Sequence, residues 1–228
     1  MLICGLQKLT LLDYPEKTAC TIFTYGCNFR CPFCHNAGLV TEKAEGIINE
    51  DELFSFLSKR QGILDGVCIT GGEPTNHKDL IPFMKRIKDM DFLVKLDTNG
   101  YNPDVLSEIL SLKLADYVAM DIKNSLEKYS MTAGVDIDTD KILRSIELIK
   151  SNAPHFEFRT TVVSELHNEE DIEAICGLIG KDSPLYLQQF RDSGNLISQG
   201  LSAWETERMG KAASELQKKG FKVLMRES

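Results

Sequence analysis

No run of about 18 consecutive apolar residues occurs in the sequence, which excludes a membrane-spanning helix. The start, Met1-Leu2-Ile3-Cys4-Gly5, lacks the basic-then-apolar order of a secretion signal, so the expected compartment is the cytoplasm. Basic residues are in deficit, with 26 Lys and Arg against 34 Asp and Glu and a net charge of -8. Phosphate backbones are gripped by clustered Lys and Arg, so nucleic acid is not an expected partner. The cysteines number seven and cannot all pair; Cys4, Cys20, Cys68 and Cys176 are scattered in apolar surroundings that suit reduced, buried thiols. Disorder has no compositional basis either, because 43% hydrophobic and 26% charged residues are the proportions of an ordinary globular protein. The length of 228 residues suits one substantial domain spanning 1–228.

What is present is concentrated in Thr24-Tyr25-Gly26-Cys27-Asn28-Phe29-Arg30-Cys31-Pro32-Phe33-Cys34-His35-Asn36, with the loop proper over 26–36. Three cysteines in a Cys-x-x-x-Cys-x-x-Cys spacing bring three soft sulfur donors to one small volume, which favours an iron–sulfur cluster or zinc over oxygen-loving metals. A four-iron cubane with three protein ligands keeps one iron open for a small molecule, the arrangement that separates catalytic from structural metal sites. Three other readings stand beside it. Cys31-Pro32-Phe33-Cys34-His35 matches the Cys-x-x-Cys-His haem attachment motif, which needs export. A Cys3His zinc site would take His35, directly beside Cys34, as its fourth ligand. Three unligated buried cysteines are the plainest alternative.

Cys27, Cys31 and Cys34, with aromatic Phe33 before the last, resemble the signature of the radical S-adenosylmethionine (radical SAM) enzymes. The resemblance implies that the three cysteines hold a [4Fe–4S] cluster whose free iron chelates the amino and carboxylate groups of S-adenosylmethionine, with Phe33 near the adenine.

Along the chain, short β-branched or apolar segments alternate with helical patterns. Strands are expected at 18–24, 66–70, 92–96, 117–120, 155–163 and 184–190, with a last apolar segment at 221–225. Helices are expected near 49–57, 78–89, 103–112, 140–151, 168–179 and 202–219. Residues 1–15 read as a short apolar segment ending in a Pro-marked turn. Such alternation calls for parallel strands joined by crossovers. Six units are too few for an eight-stranded barrel. The expected fold is α/β, an open partial (β/α)6 barrel of the radical SAM type, with a flat doubly wound sheet as the alternative. Either way, ligands gather at the C-terminal strand ends.

Polar motifs stand at those ends. In Gly71-Gly72-Glu73-Pro74 the glycines let backbone approach a ligand and Glu73 offers a carboxylate to an ammonium group. This tetrapeptide resembles the family's Gly-Gly-Glu motif at the amino group of S-adenosylmethionine. Asp97-Thr98-Asn99-Gly100 and Asp121-Ile122-Lys123 read as a capped turn and a salt-bridged strand end; they also resemble motifs of the glycyl-radical activating enzymes. That resemblance implies a monovalent cation near Asp97 and Asp121 and a cofactor contact from Lys123. Arg159 corresponds to a strand Arg near the cofactor, with a buried ion pair as the alternative. Where the pyruvate formate-lyase activase pattern has a His after an aromatic residue, this chain has Phe190-Arg191, which assigns the ribose or carboxylate contact to Arg191. His35 and Asn36 close the cluster loop and are expected at the cofactor. His77, His155 and His167 are expected on the surface or as caps, and Trp204 among helical residues in packing.

The segment from Leu9 to Val40 most resembles the activating protein of anaerobic ribonucleoside-triphosphate reductase. The function implied is reductive cleavage of S-adenosylmethionine to a 5′-deoxyadenosyl radical that takes hydrogen from one glycine of that reductase, fed by a flavodoxin- or ferredoxin-type electron donor. No catalytic side chain beyond the cluster and cofactor is expected, since hydrogen-atom abstraction needs proximity rather than an acid–base pair. Alternatives are activation of another glycyl-radical enzyme, radical chemistry on a small molecule of the carboxy-deazaguanine synthase kind, or a non-catalytic zinc- or cluster-binding module.

Overall fold

The structure, a computed structural model, describes residues 1–44, 46–192 and 194–226. Eight strands form one sheet in chain order: β1 (Ile3–Thr10), β2 (Ala19–Thr24), β3 (Gly66–Gly71), β4 (Leu93–Thr98), β5 (Tyr117–Asp121), β6 (Phe156–Val162), β7 (Pro184–Gln189) and β8 (Lys222–Arg226). β1 and β2 are antiparallel, and every later neighbour pair is parallel. The six central strands are each followed by a helix: α1 (Glu50–Ser58), α2 (Leu80–Lys88), α3 (Pro103–Ser111), α4 (Thr139–Asn152), α5 (Glu169–Ile179) and α6 (Thr206–Lys218). The strand order runs from β1 to β8 without the two ends pairing, so the barrel is partial and open.

Helix starts follow local capping chemistry. Asn49 accepts from the Asp51 N–H ahead of α1, and Asn168 with Asp171 forms a capping box ahead of α5. Two local expectations are corrected. Residues 1–15 hold a full strand, β1, whose pairing to β2 supplies what its irregular pattern does not signal. The helix expected from 202 begins at Thr206, because Ala203 bridges Val163 in extended conformation. Trp204 therefore precedes the helix, is buried, and carries the Arg208 guanidinium 3.8 Å above its ring.

The strands alternate in an unusual sense. Val94, Leu96, Val118, Met120 and Phe158 belong to the apolar core. Their neighbours Lys95, Asp97, Asp121, Glu157 and Arg159 point the other way; Lys95, Asp97, Arg159 and Asp121 meet in ion pairs, and Glu157 pairs with Arg226 of β8. The register explains the meeting: Lys95 lies opposite Tyr117, Ala119 opposite Glu157, and Asp121 opposite Arg159. The barrel lumen is thus polar, and its upper end is the site.

Candidate active site

The cluster loop leaves β2 at Gly26 and is tied down from three sides. From β3, the Glu73 N–H donates to Gly26 O at 2.8 Å and Asn36 Nδ2 donates to Gly71 O at 3.1 Å. From β4, Asn99 Nδ2 donates to Asn28 Oδ1 at 2.7 Å. From the segment after β5, the Arg30 N–H donates to Ala133 O at 2.8 Å. Two glycines permit this closeness. A Cβ on Gly72 would sit 1.9 Å from Gly26 O, and one on Gly134, whose φ is +70°, would sit 2.1 Å from Arg30 O.

The loop roofs a cavity of about 270 Å³. Every expected site residue except Arg191 lines it: Cys27, Cys31, Cys34, Phe33, His35, Asn36, Gly71, Gly72, Glu73, Asp97, Asp121, Lys123 and Arg159. Arg191 is exposed and outside the lining. β7 ends at Gln189; the inward position is Gln188, which lines the cavity, and Phe190 turns under His35 with ring centroids 5.9 Å apart. The chain beyond therefore places Arg191 outside the cavity lining. Thr98 and Asn99, quoted in the Asp97 motif but given no role of their own, line the cavity as well, and so do Thr70 and Thr161, which sequence reading passed over. Their signal was position alone, at the C-terminal ends of β3, β4 and β6.

Burial sets the ionisation of the site. It pushes the Cys27 thiol up to about 12, with Glu73 adding to the rise. The Phe29 N–H at 3.3 Å and Asn99 Nδ2 at 3.8 Å are directed at Cys27 Sγ. Soft donors lining one cavity, with N–H groups turned on a sulfur, fit a thiolate-ligated iron–sulfur cluster. The Cys3His zinc reading draws on the same three thiols, and His35 lines the cavity with them.

Glu73 is fully buried and already engaged. Its Oε1 accepts from the Thr75 N–H at 3.1 Å, the Thr75 hydroxyl at 2.5 Å and the Thr98 hydroxyl at 2.7 Å, and its Oε2 accepts from the Asn99 N–H at 2.7 Å. Burial raises its carboxyl above the usual range while these bonds oppose the rise. Its visible role is to staple the end of β3 to the end of β4.

The carboxylates of Asp97 and Asp121 behave differently. Burial pushes both up, but Arg159 and Lys95 at Asp97, and Arg159 and Lys123 at Asp121, outweigh it and hold both below the usual range. Lys123 Nζ is 3.1 Å from Asp121 Oδ2 and 6.0 Å from the Phe33 ring centroid. The expected monovalent cation meets an occupied place, because the Arg159 guanidinium lies between the two aspartates, with Nη1 3.1 Å from Asp97 Oδ2 and Nε 2.8 Å from Asp121 Oδ1.

His77 caps a short turn and contacts Tyr25 O at 2.9 Å. His167, expected at the surface or as a cap, is instead buried. Its Nδ1 accepts from the Val163 N–H at 3.1 Å, and its Nε2 donates to the Lys123 carbonyl at 2.8 Å, so it anchors the backbone that presents Lys123. Burial lowers its pKa below the ordinary His value. Below about pH 6.5 the unfolded chain therefore binds a proton that the folded chain resists, and stability falls with pH in that window and is flat above it. A His167→Gln protein, whose amide keeps one donor and one acceptor, is expected to show a shallower loss of melting temperature between about pH 7 and 5.5. An unchanged slope would count against this origin.

Comparison with known proteins follows the same residues. The family model of the radical SAM superfamily matches residues 21–179. A Methanocaldococcus jannaschii protein provisionally described as a glycyl-radical enzyme activating enzyme is 41% identical over 195 residues, covering 83% of this chain and 80% of that protein. A second protein of that organism with the same description is 30% identical over 162 residues, covering 68% of this chain and 60% of its own length. Among solved structures, QueE from Escherichia coli superposes with a TM-score of 0.59 at 18% identity, covering 99% of this chain and 93% of that one, a likeness of fold. Among the described residues no helix is long and apolar enough to cross a membrane.

Proposed function

We propose an activase role for this chain because it belongs to the radical SAM superfamily: it generates a glycyl radical on a partner enzyme, anaerobic ribonucleoside-triphosphate reductase, in the cytoplasm. The observation that carries the reading is the convergence of Cys27, Cys31 and Cys34 with the strand-end motifs of β3, β4 and β5 on one cavity. The family implies a [4Fe–4S] cluster and S-adenosylmethionine. When bound, the cluster supplies one electron, from a flavodoxin- or ferredoxin-type donor, for cleavage of S-adenosylmethionine to methionine and a 5′-deoxyadenosyl radical that removes a hydrogen atom from the partner's glycine.

The protein's own contribution is positioning and exclusion of water. Cys27, Cys31 and Cys34 would hold the cluster. Gly71 and Gly72, in the cavity lining, would leave room for the cofactor's amino group, Lys123 and Arg159 would supply positive charge for its carboxylate, and Phe33 would offer a ring to its adenine. Entry of a peptide loop needs an opening, and the unpaired seam between β8 and β1 supports one. One domain over 1–228 suffices for these tasks.

The test is anaerobic reconstitution, dithionite reduction and addition of S-adenosylmethionine with the reductase. The expected result is 5′-deoxyadenosine released in step with a glycyl-radical electron paramagnetic resonance signal, both lost when the partner's glycine loop is deleted. Turnover unchanged by that deletion would overturn the assignment in favour of small-molecule radical chemistry. Iron bound without any cleavage of S-adenosylmethionine would favour a binding module.

A further inference from the structure

Lys95 is an anomaly of sequence and of position. It interrupts the apolar run Phe92-Leu93-Val94-Lys95-Leu96, stands two residues before Asp97 on the same face of β4, and is 1% exposed. Its Nζ pairs with Asp97 Oδ1, lies 4.0 Å from Cys68 Sγ and 5.8 Å from the Tyr117 ring centroid. A lysine is not left charged in such a place without an anion to hold it, and Asp97 keeps it protonated against burial.

The ion pairs around it close into one array. Asp97 Oδ1 takes Lys95 and Asp97 Oδ2 takes Arg159; Asp121 Oδ1 takes Arg159 and Asp121 Oδ2 takes Lys123. Each of the four carboxylate oxygens thus has a cationic partner from the chain itself. The nearby Glu157 does not alter the balance, because Arg226 binds both its oxygens at 2.8 Å each and the Tyr117 hydroxyl donates to Oε2 at 2.8 Å. Three cations face two aspartates, and the surplus positive charge borders the cavity. A monovalent metal ion would have to share each carboxylate oxygen with a resident cation, and it would meet like charges across a buried, weakly screened space.

We propose that Lys95 is a resident cation that takes the place of a dissociable monovalent ion beside Asp97, so that the carboxylate end of the S-adenosylmethionine site works without sodium or potassium. Lys95 is a positioning residue: it neutralises Asp97 and thereby leaves Arg159 and Lys123 with charge to offer the cofactor. The inference rests on the cofactor reading above.

The experiment compares parent and Lys95→Met proteins in chlorides of choline, sodium and potassium at equal ionic strength. Two quantities are read: the melting temperature of the cluster-free protein, and the S-adenosylmethionine dissociation constant of the reconstituted one. The parent is expected to give the same melting temperature in all three salts and dissociation constants within a factor of two. Lys95→Met is expected to melt lower and bind at least tenfold more weakly in choline, and to recover in part in sodium or potassium. A parent that binds tenfold more weakly in choline than in potassium overturns the proposal. So does a folded Lys95→Met protein that is weakened equally in every salt. If that variant does not fold, the parent's salt response decides alone. The melting arm uses no cofactor turnover, so failure of the glycyl-radical assignment leaves it readable.

Discussion

Cys31→Ala protein is expected to retain its fold and lose its chemistry. The residue is buried in the loop between Phe29 and Phe33, and replacing one thiol by a methyl removes little packing, so the cluster-free variant is expected to melt within a few degrees of the parent. The loss lies at the metal. With two cysteines left, the loop no longer meets the three-ligand requirement of an open-iron cubane, and iron bound after reconstitution should collapse. Release of 5′-deoxyadenosine should drop at least about a thousandfold, equivalent to about 4 kcal/mol of transition-state stabilisation. Cys176→Ala is the informative contrast. That thiol is also buried but lies in α5, outside the cavity lining, so its removal should cost about 1 kcal/mol of stability and no iron. Iron content and 5′-deoxyadenosine yield, measured for both proteins, check the pair. Full iron loading in Cys31→Ala would overturn the ligand assignment.

Gly72→Ala is expected to damage the fold itself. A Cβ 1.9 Å from Gly26 O and 2.6 Å from its carbonyl carbon meets backbone, which cannot swing aside as a side chain would. Either the turn after β3 or the start of the cluster loop must shift, and the hydrogen bond from the Glu73 N–H to Gly26 O joins the two. The expected cost is about 3 kcal/mol or more, a fall of roughly 6–12 °C in melting temperature for a chain of this size, together with weaker iron binding. Gly177→Ala supplies the opposite case: nothing lies within 4 Å of the added Cβ in the last turn of α5, and alanine there should stabilise by up to about 0.5–1 kcal/mol. A Gly72→Ala protein that melts with the parent would show that the close approach is dispensable.

The two glycines also show how sequence and structure divided the information. Gly72 was legible as a place where backbone comes close to something, and a ligand was the natural guess; in the structure that something is the cluster loop. Gly134 carried no signal at all, because its neighbour across space, Arg30, is a hundred residues away in the chain. His167 was similarly misjudged: a histidine near a helix start reads as a cap, whereas the turn before α5 carries it inward beneath Lys123. Arg191 follows Phe190 and was assigned by analogy of order, but strand period decides which side chains face the lumen, and β7 stops short of it.

Local chemistry was enough for what depends on neighbours in sequence. The Cys27, Cys31 and Cys34 spacing, the alternation of six strands with six helices, and the clustering of polar motifs at strand ends all follow from short-range rules of ligand spacing and periodicity. Tertiary structure alone decided the rest: the antiparallel β1, the polar lumen, the stapling of Glu73 to β4, and the closed array of Lys95, Asp97, Arg159, Asp121 and Lys123. These depend on register between strands remote in sequence. A charge at one position on β4 acquires its meaning only when β5 and β6 bring an aspartate and an arginine to the same level of the barrel.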